Sequence, residues 1–171
     1  MPLWSDPREI TSPRVQAFHQ YWLSIRAAGE DLPRRSAVDP CAIPALLPYI
    51  VITDFRPTPL HVRYRLVGTR VVEVSRLDFT GMVLEQCGFQ AEEPDIWFTA
   101  YGRIAETRAP VFGRVHIPYN SVNGHLPLTE EFAICPLTRD GRDIFQCIAI
   151  EDYLGADDDL PAEEIRPMRA L

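Results

Sequence analysis

The run His61-Val62-Arg63-Tyr64-Arg65-Leu66-Val67-Gly68-Thr69-Arg70 constrains this chain more than any other. Val62, Tyr64 and Leu66 alternate with Arg63 and Arg65, the period of a strand with one buried and one wet face. Gly68 closes the strand, at a place where glycine's freedom of dihedral suits a sharp exit. Val71, Val72 and Val74 follow, then the turn-like Asp78-Phe79-Thr80-Gly81. A strand, a glycine turn, short helical pieces and a second glycine wrap a small pocket against a sheet.

Other segments supply partners for this strand. Tyr49–Phe55 is rich in β-branched and aromatic residues and reads as a strand; only Pro57-Thr58-Pro59 and its flanks separate it from residues 62–67, so the two are antiparallel. Val111–Ile117, Leu128–Leu137 and Asp143–Tyr153 read as three more strands. A polar loop from Asn120 to Gly124 and the Asp140-Gly141 turn join them. Between the two groups, Ile96, Trp97, Ala100, Tyr101 and Ile104 mark the apolar face of a helix ending near Thr107, with Glu92-Glu93-Pro94-Asp95 at its start. Ser12-Pro13 starts an earlier helix, with serine as cap and proline in the first turn, and Gly29 is a C-cap candidate. Asp39-Pro40 opens a short helical piece that Pro44 and Pro48 keep short. The predicted organisation is a loose N-terminus (1–11), an N-terminal helical segment (12–48), a core (49–153) and an acidic tail (154–171). The fold class is α+β.

Composition excludes several function classes. The net charge of −7 argues against sequence-independent nucleic-acid binding. All 17 basic residues are arginine, suited to planar pairing with carboxylates or phosphates. No apolar run is long enough for a membrane span, and the start of the chain lacks the basic and apolar regions of a signal peptide. Cys41, Cys87, Cys135 and Cys147 are scattered without a Cys-x-x-Cys pair, which excludes zinc and thioredoxin-like readings and predicts buried thiols in a reducing cytoplasm.

The strand order and several short motifs resemble the PAS domain, most closely the compact bacterial group whose proteins consist of little else. The matching residues are Tyr21-Trp22 through Ile25-Arg26, Leu32-Pro33-Arg34-Arg35, Asp39-Pro40, Leu46-Leu47-Pro48 and Phe55. Next come Tyr64-Arg65-Leu66-Val67-Gly68-Thr69 and Asp78-Phe79-Thr80-Gly81. Asn123-Gly124, Glu131, Pro136-Leu137, Asp140-Gly141 and Ile150-Glu151-Asp152 fit the general PAS ending. The likeness covers residues 18–153. It implies a five-stranded antiparallel sheet in the order 2-1-5-4-3 with helices on one face. It also implies a sensory or regulatory module without chemistry of its own.

Cofactor readings are weak residue by residue. Haem-binding PAS domains offer an axial histidine near the pocket, but His19, His61, His116 and His125 all lie outside the 92–107 helix. Gln86-Cys87-Gly88-Phe89-Gln90 faintly echoes the Asn-Cys-Arg-Phe-Leu-Gln run of light-sensing PAS domains. Gln replaces Asn, Gly replaces Arg and Leu is missing. The final-strand glutamine falls on Ala149, with Gln146 nearby. Asn120 and Asn123 could hold a flavin ring but equally suit a turn. Cys87 reads as a small apolar filler. Asp54, Glu131 and Asp152 are the carboxylates that could converge in the sheet for acid–base chemistry, but a solvent-facing sheet side explains them as well. No cofactor, metal or catalytic residue is favoured.

Two expectations concern sites. Tyr64, Leu66, Phe79, Trp97, Tyr101, Phe112, Phe132 and Ile148 are candidates to line a small-molecule pocket, or else fill the core. Val15, Phe18, Trp22 and Ile25 form a narrow stripe on the first helix that either packs on its own sheet or pairs with a second copy in a homodimer. With no output segment among these 171 residues, a signal must pass to a separate partner protein. The alternative is an interaction module that holds no ligand.

Overall fold

The computed structural model describes residues 2–88, 95–121 and 124–154. Its strands are β1 (Leu3–Trp4), β2 (Ile50–Pro57), β3 (Leu60–Val67), β4 (Val111–Ser121), β5 (Gly124–Thr138) and β6 (Ile144–Leu154). Its helices are α1 (Pro13–Ser24), α2 (Thr69–Ser75), α3 (Leu84–Cys87) and α4 (Ile96–Thr107). All strand pairings are antiparallel, in the order β1-β4-β5-β6-β2-β3. The sheet thus has six strands where the sequence predicts five, and the order differs by β1, added at one edge beside β4.

The β2–β3 hairpin contains the organising strand. Its register shifts between Ile52 and Thr53: Thr53 faces Tyr64, but Ile52 faces Leu66, leaving Arg65 as the extra residue of a bulge. A one-residue shift moves every later side chain to the opposite face. Gly68 has an ordinary φ of −64°, so backbone freedom is not the reason for glycine. Its amide donates to the Ile50 carbonyl at 2.8 Å, and a Cβ there would overlap the carbonyl oxygen of Pro48. Space, rather than dihedral angle, requires the glycine.

Helices cover both faces of the sheet, not one. On β5 and β6, Phe132 pairs with Glu151 and Ile134 with Ala149, while Glu131 pairs with Asp152, Ala133 with Ile150 and Cys135 with Ile148. The first set faces α4, hereafter the inner face, and the alternate set faces α1, the outer face. Coverage on both sides explains why Ile50, Val51, Ile52 and Thr53 are all buried in β2. α4 buries Ile96, Trp97, Ala100, Tyr101 and Ile104, the predicted face.

Three boundary expectations change. The N-terminus is ordered, not loose: Leu3 and Trp4 pair with Gly113 and Phe112, and Leu3 and Ile10 are buried. α1 ends at Ser24, five residues before Gly29, whose positive φ of 80° serves a later turn. β4 and β5 extend through much of the predicted polar loop, to Ser121 and from Gly124. The acidic tail beyond Leu154, Asn123 and the Glu92-Glu93-Pro94 helix start lie outside the described residues.

Candidate functional site

A small cavity lies on the inner face between the sheet and α4. Tyr64 of β3, Trp97 and Tyr101 of α4, Phe132 and Ile134 of β5, and Ala149 and Glu151 of β6 line it. Its volume is about 10 Å³, room for about one water molecule. Strand period places Phe132 and Ile134 side by side, helical period places Trp97 and Tyr101 one turn apart, and the register brings Phe132 opposite Glu151. Phe79 packs edge-on behind Tyr64, ring centroids 4.6 Å apart, and Phe55 stacks on Tyr101 at 6.0 Å.

The cavity's acid has an unusual neighbour. Glu151 is partly buried, and its Oε2 accepts the Tyr153 hydroxyl hydrogen bond at 2.8 Å. Glu130 stands opposite Tyr153, one inner-face position from Phe132. It is 3% exposed, and its Oε1 has no hydrogen-bond partner. Burial pushes the Glu130 carboxyl well up, with the Glu151 charge adding to the shift. Burial likewise pushes Glu151 up to about 7, against the Tyr153 hydrogen bond, which lowers it. No ion pair to either carboxyl occurs among the described residues.

The outer face treats its acids differently. Glu131 Oε1 accepts from the amides of Thr11 and Ser12 at 2.9 and 2.7 Å. Its Oε2 accepts from Thr11 Oγ1 at 2.7 Å and from the Arg114 guanidinium, whose Nε stands at 3.2 Å. Burial opposes the charge, but the Arg114, Ser12 and Thr11 hydrogen bonds outweigh it and hold this carboxyl below its ordinary range. Asp152 accepts from Ser12 Oγ at 2.6 Å and Arg14 Nη1 at 2.9 Å. Glu131 and Asp152 therefore do converge, as the sequence allowed, but apart from the Arg114 bonds from β4 the hydrogen bonds given above all anchor the N-terminal segment. Asp54 stands apart, accepting from Gln146 Nε2 at 2.8 Å with Arg65 at 3.6 Å. The oxygens of Glu131 and Asp152 are bonded to cations, hydroxyls and amides, and the lowered pKa of Glu131 is opposite to what a general base needs.

The predicted pocket residues divide accordingly. Tyr64, Trp97, Tyr101 and Phe132 line the cavity, and Phe79 buttresses it. Phe112 and Ile148 correct the expectation: they pair with Ala133 and Cys135 and so face α1, where Phe112 meets His19 edge-on at 5.1 Å. Leu66 is also a correction, 44% exposed because the bulge at Arg65 turns it away from Tyr64. The residues sequence reasoning missed are Glu130 and Glu151.

The helix stripe is consumed by its own chain. Val15, Phe18 and Trp22 are buried, Trp22 Nε1 donates to the Pro136 carbonyl at 3.1 Å, and Ile25 is partly buried. Val15, Phe18 and Trp22 thus complete the outer core layer of their own sheet, the first of the two alternatives the stripe allowed.

The histidines and cysteines have local roles. His19 stacks near Trp22 at 6.2 Å, burial lowers its pKa, and it lies on the outer face. His116 is exposed, 3.1 Å from Thr129 Oγ1. Cys87 is buried, its Sγ donates to the Val83 carbonyl at 3.3 Å, and burial pushes its thiol up to about 12. That is the behaviour of a filler, not a nucleophile. Cys135 and Cys147 are buried as expected, whereas Cys41 is exposed and corrects the expectation of four buried thiols. Among the described residues, no group of three or more His, Cys, Asp or Glu is placed to hold a metal ion, and no helix is long and apolar enough to cross a membrane.

No curated protein matches this sequence. The family model of the PAS domain matches residues 10–147, from buried Ile10 through α1 and into β6. The sheet, its crossing helices and this match agree, and the chain belongs to the PAS domain family.

Proposed function

We propose that this PAS domain is a non-catalytic sensory module that binds a small molecule in the inner-face cavity and passes the outcome to a separate protein. PAS domains are in general sensory or regulatory modules, and the bonded state of Glu131 and Asp152 gives no support to an enzyme. The observation that carries the ligand reading is the cavity's make-up: aromatic walls with a single carboxyl group, Glu151, backed by the unpartnered, buried Glu130. Burying such groups costs about 1–3 kcal/mol each when unbonded. A fold built only for packing would fill these positions with apolar side chains, whereas a binding site needs a few converging polar groups in an apolar wall.

The test combines native mass with thermal unfolding of the purified protein. A retained small molecule, or a metabolite that raises Tm in the intact chain but not in Phe132→Trp, supports the reading. The volume of about 10 Å³ favours a second reading, an interaction module that holds no ligand. Protein with no excess mass, no metabolite response and an unchanged Tm in Phe132→Trp would select that second reading.

A further inference from the structure

The cavity's acids are the observation least accounted for by packing. This chain has 17 arginines, and Arg114 and Arg14 reach Glu131 and Asp152 on the outer face. On the inner face Glu130 and Glu151 stand on the same two strands with no such partner among the described residues. The charges and titratable groups acting there are Glu130 and Glu151 themselves, the phenols of Tyr64, Tyr101 and Tyr153, the Cys87 and Cys147 thiols, and Arg70, which acts on Tyr153. An anionic ligand would meet two acids. A neutral donor could satisfy an unbonded carboxyl oxygen but would gain nothing from its charge. A cation would be stabilised by both, and by aromatic rings, whose faces attract cations within about 6 Å.

Size narrows the class further. A volume of about 10 Å³ holds one water or an ion of similar bulk. We infer that the cavity lined by Tyr64, Trp97, Tyr101, Phe132 and Glu151 binds ammonium or the ammonium head of a small primary amine, with Glu151 as its counter-ion and Glu130, one inner-face position from Phe132, adding a carboxyl beside the site. This rests on the sensor reading above and gives that sensor a chemical class of ligand. An ammonium group carries donors and no acceptor, matching an unpartnered carboxyl oxygen and aromatic faces. Protons compete with the cation for the same carboxyls, so binding strengthens as pH rises from 6 to 8, a range in which an amine with a pKa near 10 remains charged.

The experiment is thermal unfolding of the full chain with ammonium, methylammonium or ethylammonium chloride, against sodium and tetramethylammonium chloride at equal ionic strength. At saturating ammonium or methylammonium, Tm is expected to rise by about 3 °C or more, more at pH 8 than at pH 6. The rise should vanish in Glu151→Gln and shrink in Glu130→Gln, with circular dichroism confirming that both fold. If Glu151→Gln fails to fold, the pH dependence of the wild-type response decides instead. Equal responses to sodium and ammonium, or none at pH 8, overturn the cation assignment. A neutral or anionic metabolite that raises Tm while the amines do not would overturn it and leave the sensor reading standing. Silence from every compound, with no retained mass, would remove both.

Discussion

Glu130 and Glu131 are neighbours in sequence, on one strand, and nearly fully buried, yet their surroundings differ in almost every respect. Glu131 faces α1 and has two backbone amides, a hydroxyl and a guanidinium. Glu130 faces the aromatic cavity side with an oxygen that lacks a hydrogen-bond partner among the described residues. Burial alone raises a carboxyl's pKa; only the donors around Glu131 reverse the sign. The outer face uses its acids to hold the chain together, and the inner face carries its acids at a cost to stability. Anchoring acids and acids without a cationic partner among the described residues thus lie on opposite sides of the same two strands.

The contrast can be broken most forcefully from the outer side. Glu131→Ala removes the acceptor of two amides and strands Arg114, and is expected to cost about 3–5 kcal/mol in urea unfolding at pH 7; a loss below about 1 kcal/mol would show that the clamp is ornamental. Ser12→Ala should cost about 2 kcal/mol, since it removes both a helix cap and a donor to buried Asp152. Glu130→Gln sharpens the contrast from the other side. At pH 8 it should stabilise by about 1 kcal/mol, because it relieves a carboxyl that burial keeps from ionising freely, and near pH 4.5 the effect should be close to nil. Destabilisation at pH 8 would mean that Glu130 has a cationic partner after all.

The wild-type pH profile carries the same contrast as a slope. The folded inner pair binds its protons more tightly than the unfolded chain does. Its contribution is therefore complete below the ordinary value of 4.5 and declines as pH rises through about 7, the Glu151 value. Glu131 has the opposite sign: its contribution is present above 4.5 and fades as pH falls through its lowered folded value. Between them these groups put maximum stability near the ordinary carboxyl value of 4.5, and Glu130→Gln with Glu151→Gln should flatten the decline above it. An unchanged slope between pH 5 and 7 in the double variant would refute this assignment of protons.

Much of this was legible because strand alternation and turn chemistry are local. The hairpin at Asp140-Gly141, the Ser12 cap and the α4 face all follow from nearest-neighbour physics, and the structure keeps them. The bulge at Arg65 depends on pairing with β2, so nothing within residues 61–67 foretold that Leu66 would turn away from Tyr64. The α1 stripe was ambiguous because a narrow seam fits a second helix or a sheet equally well, and only the outer face of β5 and β6 decides it. Glu130 was readable in principle. Two adjacent acids inside the apolar run Leu128–Leu137 must point to opposite sides of the strand. In a strand covered on both sides, each acid then needs its own account.

Ser12 has a consequence for how the molecule opens. Its hydroxyl accepts from the Val15 amide at 3.1 Å while donating to Asp152, so one oxygen both starts α1 and fastens it to β6. The helix cannot unwind from its first turn without letting go of the sheet, which joins a normally frayed end to the most protected strands. In hydrogen exchange, the amide of Val15 should then open with the slow β5–β6 unit and not with the fast class typical of helix ends.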